Sequence, residues 1–122
     1  MKHTILIIED EAALQKALED TLKEEGYKTI AALDGELGMK AAKEHLPSLI
    51  LLDLVLPKMS GFEVLSALKA AKETADIPVI VLTNLEDLQD VQKIIDLGAT
   101  TYLVKSHQSL KDIAGKIKAS LR

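Results

Sequence analysis

The sequence predicts an α/β fold, a (βα)5 doubly wound sheet of five parallel strands in the order 2-1-3-4-5 with helices on both faces. Three observations predict it. Five apolar segments alternate with five stretches of helical periodicity. Three of the segments are almost purely aliphatic, as strands buried on both faces must be, and two are mixed, as edge strands are. Each of the three aliphatic runs then ends on a carboxylate or a hydroxyl, where open α/β sheets place their ligands.

The elements follow in order. Thr4–Ile8 is the first strand, ending in Glu9-Asp10-Glu11. The next helix carries Leu14, Ala17, Leu18 and Leu22 at spacings of three and four, and Gly26 is placed to cap it in the left-handed region. Tyr27 to Leu33 is a mixed strand and Asp34-Gly35 a turn. The second helix, about Glu36 to His45, is the poorest because Gly38 lies inside it, and Pro47 breaks it. Leu49-Ile50-Leu51-Leu52-Asp53 is the densest apolar run, with Asp53 its only charge. Pro57 cannot continue a central ladder, and Gly61 permits a tight turn.

Phe62, Leu65 and Leu68 mark a third helix, followed by a polar connection from Lys69 to Asp76. Pro78 to Leu82 is the third aliphatic strand, ending at Thr83. A fourth helix places Leu88, Val91 and Ile95 on one face and stops at Gly98. Thr100 to Val104 is a mixed strand ending at Lys105. The last helix opens with Ser109-x-x-Asp112, a variant capping box, and buries Leu110, Ile113, Ile117 and Leu121.

Composition bounds the function. The 122 residues suit one domain over 1–122, with 48% hydrophobic and 28% charged residues as in ordinary globular proteins. No run approaches the roughly 18 apolar residues of a membrane span. Met1-Lys2-His3 leads directly into a strand, so no signal peptide is expected and a cytoplasmic location fits. Without cysteine there is no disulfide, thiolate metal site or thiol nucleophile. A net charge of -4 and three aromatic residues, Tyr27, Phe62 and Tyr102, argue against a nucleic-acid surface. His3, His45 and His107 share no metal-ligand spacing. The basic residues Lys111, Lys116, Lys118 and Arg122 make a solvated face before they make a docking site.

In the 2-1-3-4-5 order the first and third strands are neighbours, about 4.8 Å apart. Glu9, Asp10 and Asp53 therefore converge on one cleft, with Thr83 and Lys105 on the same rim. Three carboxylates this close repel and need compensation. Oxygen-only donors suit Mg²⁺, and Lys105 supplies a second cation. A carboxylate can act as a nucleophile on phosphorus, and phosphoryl transfer depends chiefly on positioning and charge neutralisation. Asp53, between the acidic pair and the Thr83/Lys105 pair, is the best-placed nucleophile. The donor must come from outside, since no G-x-x-x-x-G-K-[ST] loop is present.

On Glu9-Asp10, Asp53 with Pro57 and Gly61, Thr83, Lys105 and Tyr102, the chain closely resembles the receiver domains of two-component response regulators over essentially its whole length. The resemblance implies the flavodoxin-like fold of the chemotaxis regulators and a phosphoprotein carrying an aspartyl phosphate on Asp53. The phosphoryl donor would be the phosphohistidine of a histidine kinase or phosphotransfer protein. Mg²⁺ would be held by Glu9, Asp10, Asp53 and the backbone carbonyl of Val55. Thr83 and Tyr102 would move together on phosphorylation and remodel a partner-binding face. Such a domain is no enzyme beyond its own phosphotransfer and autodephosphorylation. The latter is expected to be slow here, because the positions two after Asp53 and two after Thr83, which flank the path of the attacking water in the family, are the apolar Val55 and Leu85. Its effect would pass to a protein target or an output domain outside this chain.

Tyr102 serves equally well as an ordinary half-buried edge-strand aromatic, and Leu14 and Ala17 suit the core or a kinase-docking surface. Two positions depart from the family. Ser106 replaces the proline that usually follows the lysine through a cis bond; a cis bond costs about 3–4 kcal/mol to serine against about 0.5–1 to proline. Asn84 replaces the usual small residue after the threonine, and with Asp87 it would also suit a helix cap. A metal-dependent phosphohydrolase on the same rim would need a second Asp two places after Asp53, where Val55 stands. A receiver-like module that is never phosphorylated would have lost one of the five residues, and none is lost.

Overall fold

The computed structural model describes residues 2–84 and 88–121. In chain order the elements are β1 (Thr4–Ile8), α1 (Ala12–Glu24), β2 (Lys28–Ala32), α2 (Gly35–His45), β3 (Leu49–Asp53), α3 (Gly61–Ala70), β4 (Val79–Thr83), α4 (Leu88–Asp96), β5 (Thr101–Val104) and α5 (Leu110–Ser120). The strands make one parallel sheet in the order β2-β1-β3-β4-β5. Strand order thus follows apolarity: β1, β3 and β4 are central, and the mixed β2 and β5 are the edges.

Side-chain alternation along the central strands divides the core into two layers. Leu6, Ile8, Ile50, Leu52, Val79 and Val81 pack with Ala42 of α2, Val64, Leu65 and Leu68 of α3, and Ile94 of α4. Ile5, Ile7, Leu49, Leu51, Ile80 and Leu82 pack with Leu18 and Leu22 of α1 and with Ile113, Ala114 and Ile117 of α5. Ile8 lies opposite Leu52, so Glu9 and Asp53 are the next residues along adjacent strands. The predicted capping box of α5 is present, Ser109 Oγ accepting from Asp112 N–H and Asp112 Oδ2 from Ser109 N–H.

Several expectations are corrected. Gly38 weakens α2 by propensity, yet the packing demands it, because a Cβ there would lie 2.6 Å from Ile8 Cδ1. Gly61 is the first residue of α3 and needs no unusual φ; the positive φ in this loop belongs to Lys58, at 72°. What Gly61 supplies is close approach: a Cβ would lie 2.4 Å from both the Asp53 carbonyl oxygen and Leu54 Cα.

In α4, Ile94 is buried and Ile95 is exposed, with Leu97 packed on the core, so the buried stripe runs through 94 and 97 rather than ending on Ile95. The predicted inward placement of the Leu88 side chain lies outside the described residues. The connection after α3 is less open than its polarity predicts. Fully buried Thr74 donates to the Leu68 carbonyl at 2.6 Å, and Lys69 Nζ donates to the carbonyls of Ala75 and Ile77 at 3.1 and 2.8 Å. No cis peptide bond occurs among the described residues, and Lys105–His107 form a short 3-10 turn.

Candidate functional site

The two buried acidic residues of the cleft are fixed by different local devices. Glu9 directly follows β1, and its N–H donates to the Ala32 carbonyl of β2 at 3.0 Å, which continues the ladder one step past the strand. Its carboxylate turns inward and is buried, Oε2 accepting from the Glu11 N–H at 3.0 Å. Asp10 stands in the exposed loop beside it. Asp53 is the last residue of β3 and is 5% exposed. Its Oδ1 accepts from the Val55 N–H at 3.3 Å, and Gly61 N–H donates to the Leu54 carbonyl at 2.8 Å, drawing the start of α3 against the backbone that carries Asp53.

Lys105 comes from the end of β5 and bridges the two buried carboxylates. Its Nζ lies 2.7 Å from Glu9 Oε1 and 3.1 Å from Asp53 Oδ2. Burial pushes the Glu9 carboxyl up, and the hydrogen bonds from Lys105 and Glu11 only partly reverse this, so it stays above the usual carboxylate range. Burial alone would lower Lys105. Hydrogen bonds to Glu9 and Asp53, together with their charges, outweigh it and hold the ammonium above its ordinary value. One cation thus serves two carboxylates: it is strongly held, while Glu9 is not fully compensated.

One carboxylate oxygen each from Glu9, Asp10 and Asp53 lie within 4.8 Å of one another. Against these three carboxyl groups the described lining sets one ammonium, that of Lys105, which leaves an excess of negative charge when the carboxyls are ionised. The donors are all hard oxygens with no imidazole or thiolate among them, which is the set that suits Mg²⁺, Mn²⁺ or Ca²⁺. The acidic residues therefore fit the cation that the sequence implies. The surrounding cleft, about 530 Å³, is lined by Glu9, Asp10, Glu11, Asp53, Val55, Asn84 and Lys105.

Of the residues singled out from sequence, Glu9, Asp10, Asp53, Val55 and Lys105 come together in this cleft. Thr83 and Tyr102 do not line it. Thr83 is buried at the end of β4, and Tyr102 is half-buried against the α3/α4 side of the core. Val81 lies opposite Tyr102 and Thr83 is two residues on, so Thr83 and Tyr102 share one face of the sheet. Leu85 and Asp87 lie outside the described residues; Asn84 is exposed at the rim of the cleft. Sequence reasoning missed Gln15, a buried amide beside the Glu9 backbone. Its one signal was a polar side chain between Leu14 and Leu18 on the buried side of α1.

The family model for the response regulator receiver domain matches residues 5–118. The DNA-binding dual master transcriptional regulator RpaA of Synechocystis sp. is 40% identical over 118 residues, which are 97% of this chain and 48% of that protein. A probable transcriptional regulator, ycf27, of Porphyridium aerugineum is 39% identical over 121 residues, 99% of this chain and 49% of that protein. The chain thus spans about half the length of these relatives. Among solved structures, the Mn²⁺-bound form of response regulator Rcp1 superposes with a TM-score of 0.81 at 34% identity, covering 96% of this chain and 90% of that one. A match over nearly the whole chain, on a sheet whose carboxyl edge gathers these acidic residues and a lysine, leaves one conclusion: the chain belongs to the response regulator receiver domain family.

Proposed function

We propose that this receiver domain is a phosphoacceptor switch in which Asp53 takes a phosphoryl group from the phosphohistidine of a histidine kinase or phosphotransfer protein. The observation that carries the proposal is the state of Asp53: a residue only 5% exposed, at a strand end, with its Oδ2 on the Lys105 ammonium. Burial there strips water from the nucleophile, and the cleft beside it opens to a partner. In the transfer an Asp53 oxygen forms a bond to phosphorus as the phosphorus–nitrogen bond of the donor breaks, and the imidazole leaves with that electron pair. Lys105, already on Asp53 Oδ2, is placed to follow the charge onto a phosphoryl oxygen. The Val55 N–H holds Asp53 Oδ1. A Mg²⁺ ion held by Glu9, Asp10, Asp53 and the Val55 carbonyl would neutralise charge on the phosphoryl oxygens.

The readout we propose runs through the Thr83 hydroxyl to Tyr102, which share a sheet face on adjacent strands. It ends on the surface of α4, β5 and α5, where a protein target or an output domain would bind. The double length of the transcriptional relatives supports an output domain. Release of the phosphate is slow, because Val55, with 66% of its surface exposed at the cleft, offers no group to activate a water.

Incubation with Mg²⁺ and acetyl phosphate tests the proposal. A single hydroxylamine-sensitive adduct should appear by intact mass, and Asp53→Asn should abolish it with the fold unchanged. Undiminished labelling of that variant would overturn the assignment.

A further inference from the structure

Among the described residues, few polar side chains are buried: Glu9, Gln15, Asp53, Thr74 and Thr83. Glu9, Asp53 and Thr83 belong to the carboxyl rim of the sheet, and Thr74 ties down the connection after α3. Gln15 stands apart from both. It sits in the first turn of α1 and is 8% exposed. Its Nε2 donates to two carbonyls at once, Glu9 at 3.2 Å and Ala32 at 3.0 Å. Ala32 O is the same atom that accepts the Glu9 N–H at 3.0 Å.

The peptide groups on either side of Glu9 are therefore both held, its N–H by the β2 edge and its C=O by Gln15, which is itself anchored on that edge. Glu9 lies one residue past the end of β1, where the ladder is ending, so the side chain replaces secondary structure as the support. The Glu9 carbonyl is also the start of the peptide that carries Asp10. Asp10 is exposed, and its carboxylate has no hydrogen-bond donor among the described residues, so its aim depends on the backbone behind it.

We propose that Gln15 is a positioning residue for the acidic cluster: its amide, bridging the carbonyls of Glu9 and Ala32, fixes the backbone from which Glu9 and Asp10 present their carboxylates to a divalent cation. The proposal rests on the reading of that cluster as a cation site. Asp53 is positioned independently, by β3 and Gly61, so the device governs cation affinity and leaves the nucleophile alone. Partners that orient metal ligands from behind are commonly worth 10–100-fold in affinity. Gln15 is one step further removed, acting through backbone, which puts the expected loss at about tenfold.

The test is titration of the protein with Mn²⁺, free ion being read by electron paramagnetic resonance, for wild type, Gln15→Met and Thr74→Val. Methionine keeps the length of the side chain and removes the donor. Thr74→Val deletes a buried hydrogen bond distant from the cleft and shows what a general loss of stability does to cation binding. The expected result is about tenfold weaker Mn²⁺ binding in Gln15→Met alone. The adduct yield from acetyl phosphate should be restored to the wild-type level at saturating metal. Mn²⁺ affinity of Gln15→Met within twofold of wild type, or an equal loss in Thr74→Val, would overturn it. If wild type takes up no Mn²⁺, the cation reading itself fails and this inference with it.

Should Gln15→Met not fold, the wild-type Gln15 side-chain amide resonances supply the answer. They should shift on Mg²⁺ addition with the same midpoint as the Asp10 backbone amide, and their indifference to Mg²⁺ would refute the role.

Discussion

Replacement of Lys105 by methionine isolates the electrostatics of the cleft. The substitution keeps the aliphatic stem and removes the ammonium that lies 2.7 Å from Glu9 Oε1 and 3.1 Å from Asp53 Oδ2. The two carboxylate side chains are only 3% and 6% exposed, so little solvent can take the place of the lost charge. Breaking a buried ion pair by deleting one partner costs about 3–5 kcal/mol. Two features put Lys105→Met at the lower end, about 3 kcal/mol. The cleft is open on its Asp10 side, and Glu9, already displaced upward by burial, can take up a proton instead of remaining a buried anion. Against a total stability of about 5–15 kcal/mol, that is a large fraction of the fold.

The pH dependence fixes the cause. Without Lys105 the folded-state pKa of Glu9 rises further above its unfolded value. A group with a raised folded pKa contributes stability that is fully present below its unfolded pKa and is lost as pH rises through the folded one. The deficit relative to wild type should therefore be largest at neutral pH and shrink as pH falls toward the carboxylate range. Mg²⁺ should also narrow it, by supplying the missing positive charge. Urea unfolding followed by far-ultraviolet circular dichroism, at neutral and mildly acid pH with and without Mg²⁺, measures all of this. A neutral-pH deficit below about 1 kcal/mol, or one that does not change with pH, would refute the reasoning; the second result would mean that Lys105 acts by packing rather than by charge.

Other expectations follow from the loops. Gly61→Ala places a methyl 2.4 Å from backbone atoms of Asp53 and Leu54 that cannot rotate away, so it should cost about 2–3 kcal/mol by urea unfolding and slow labelling of Asp53; an unaffected labelling rate would count against Gly61 positioning the nucleophile. Leu46 caps α2 with φ 43° and is 54% exposed, so Leu46→Asn should add about 1 kcal/mol and raise the melting temperature by roughly 3–6 °C; an unchanged or lower melting temperature would count against it. Val55→Asn puts an amide on the exposed rim of the cleft, so loss of phosphate from the labelled protein should quicken several-fold, and equal decay of variant and wild type would remove Val55 from the account.

What the sequence disclosed, and what it withheld, divides along the type of interaction. Strand order was legible because burial on two faces requires aliphatic runs, and Leu49–Leu52 announce a central strand without any knowledge of their neighbours. The cleft was legible for a related reason. A charge such as Asp53 at the end of such a run has few places to go, and the topology brings those places together. Contacts decided by shape were not legible. Gly38 looked like a weak point in a helix because propensity describes a lone helix, whereas the residue is set by Ile8 pressing against α2. Gly61 looked like a turn residue because glycine most often serves that purpose, but here the need is the missing Cβ over the Asp53 backbone.

Gln15 shows why the most telling omission was a polar one. In the α1 pattern it falls beside Leu14 and Leu18, and a periodicity argument passes over a glutamine there as a solvent residue at the boundary of the stripe. Only the geometry reveals that the N-terminal turn of α1 crosses the place where β1 and β2 run out of ladder, where the Glu9 carbonyl takes its donor from Gln15. The same sheet edge that makes the carboxyl ends of strands useful for chemistry also makes them short of hydrogen-bond partners. A receiver site on such an edge must therefore spend some of its side chains on backbone. In this chain those side chains come from α1, and the residues visible as chemistry come from the strands.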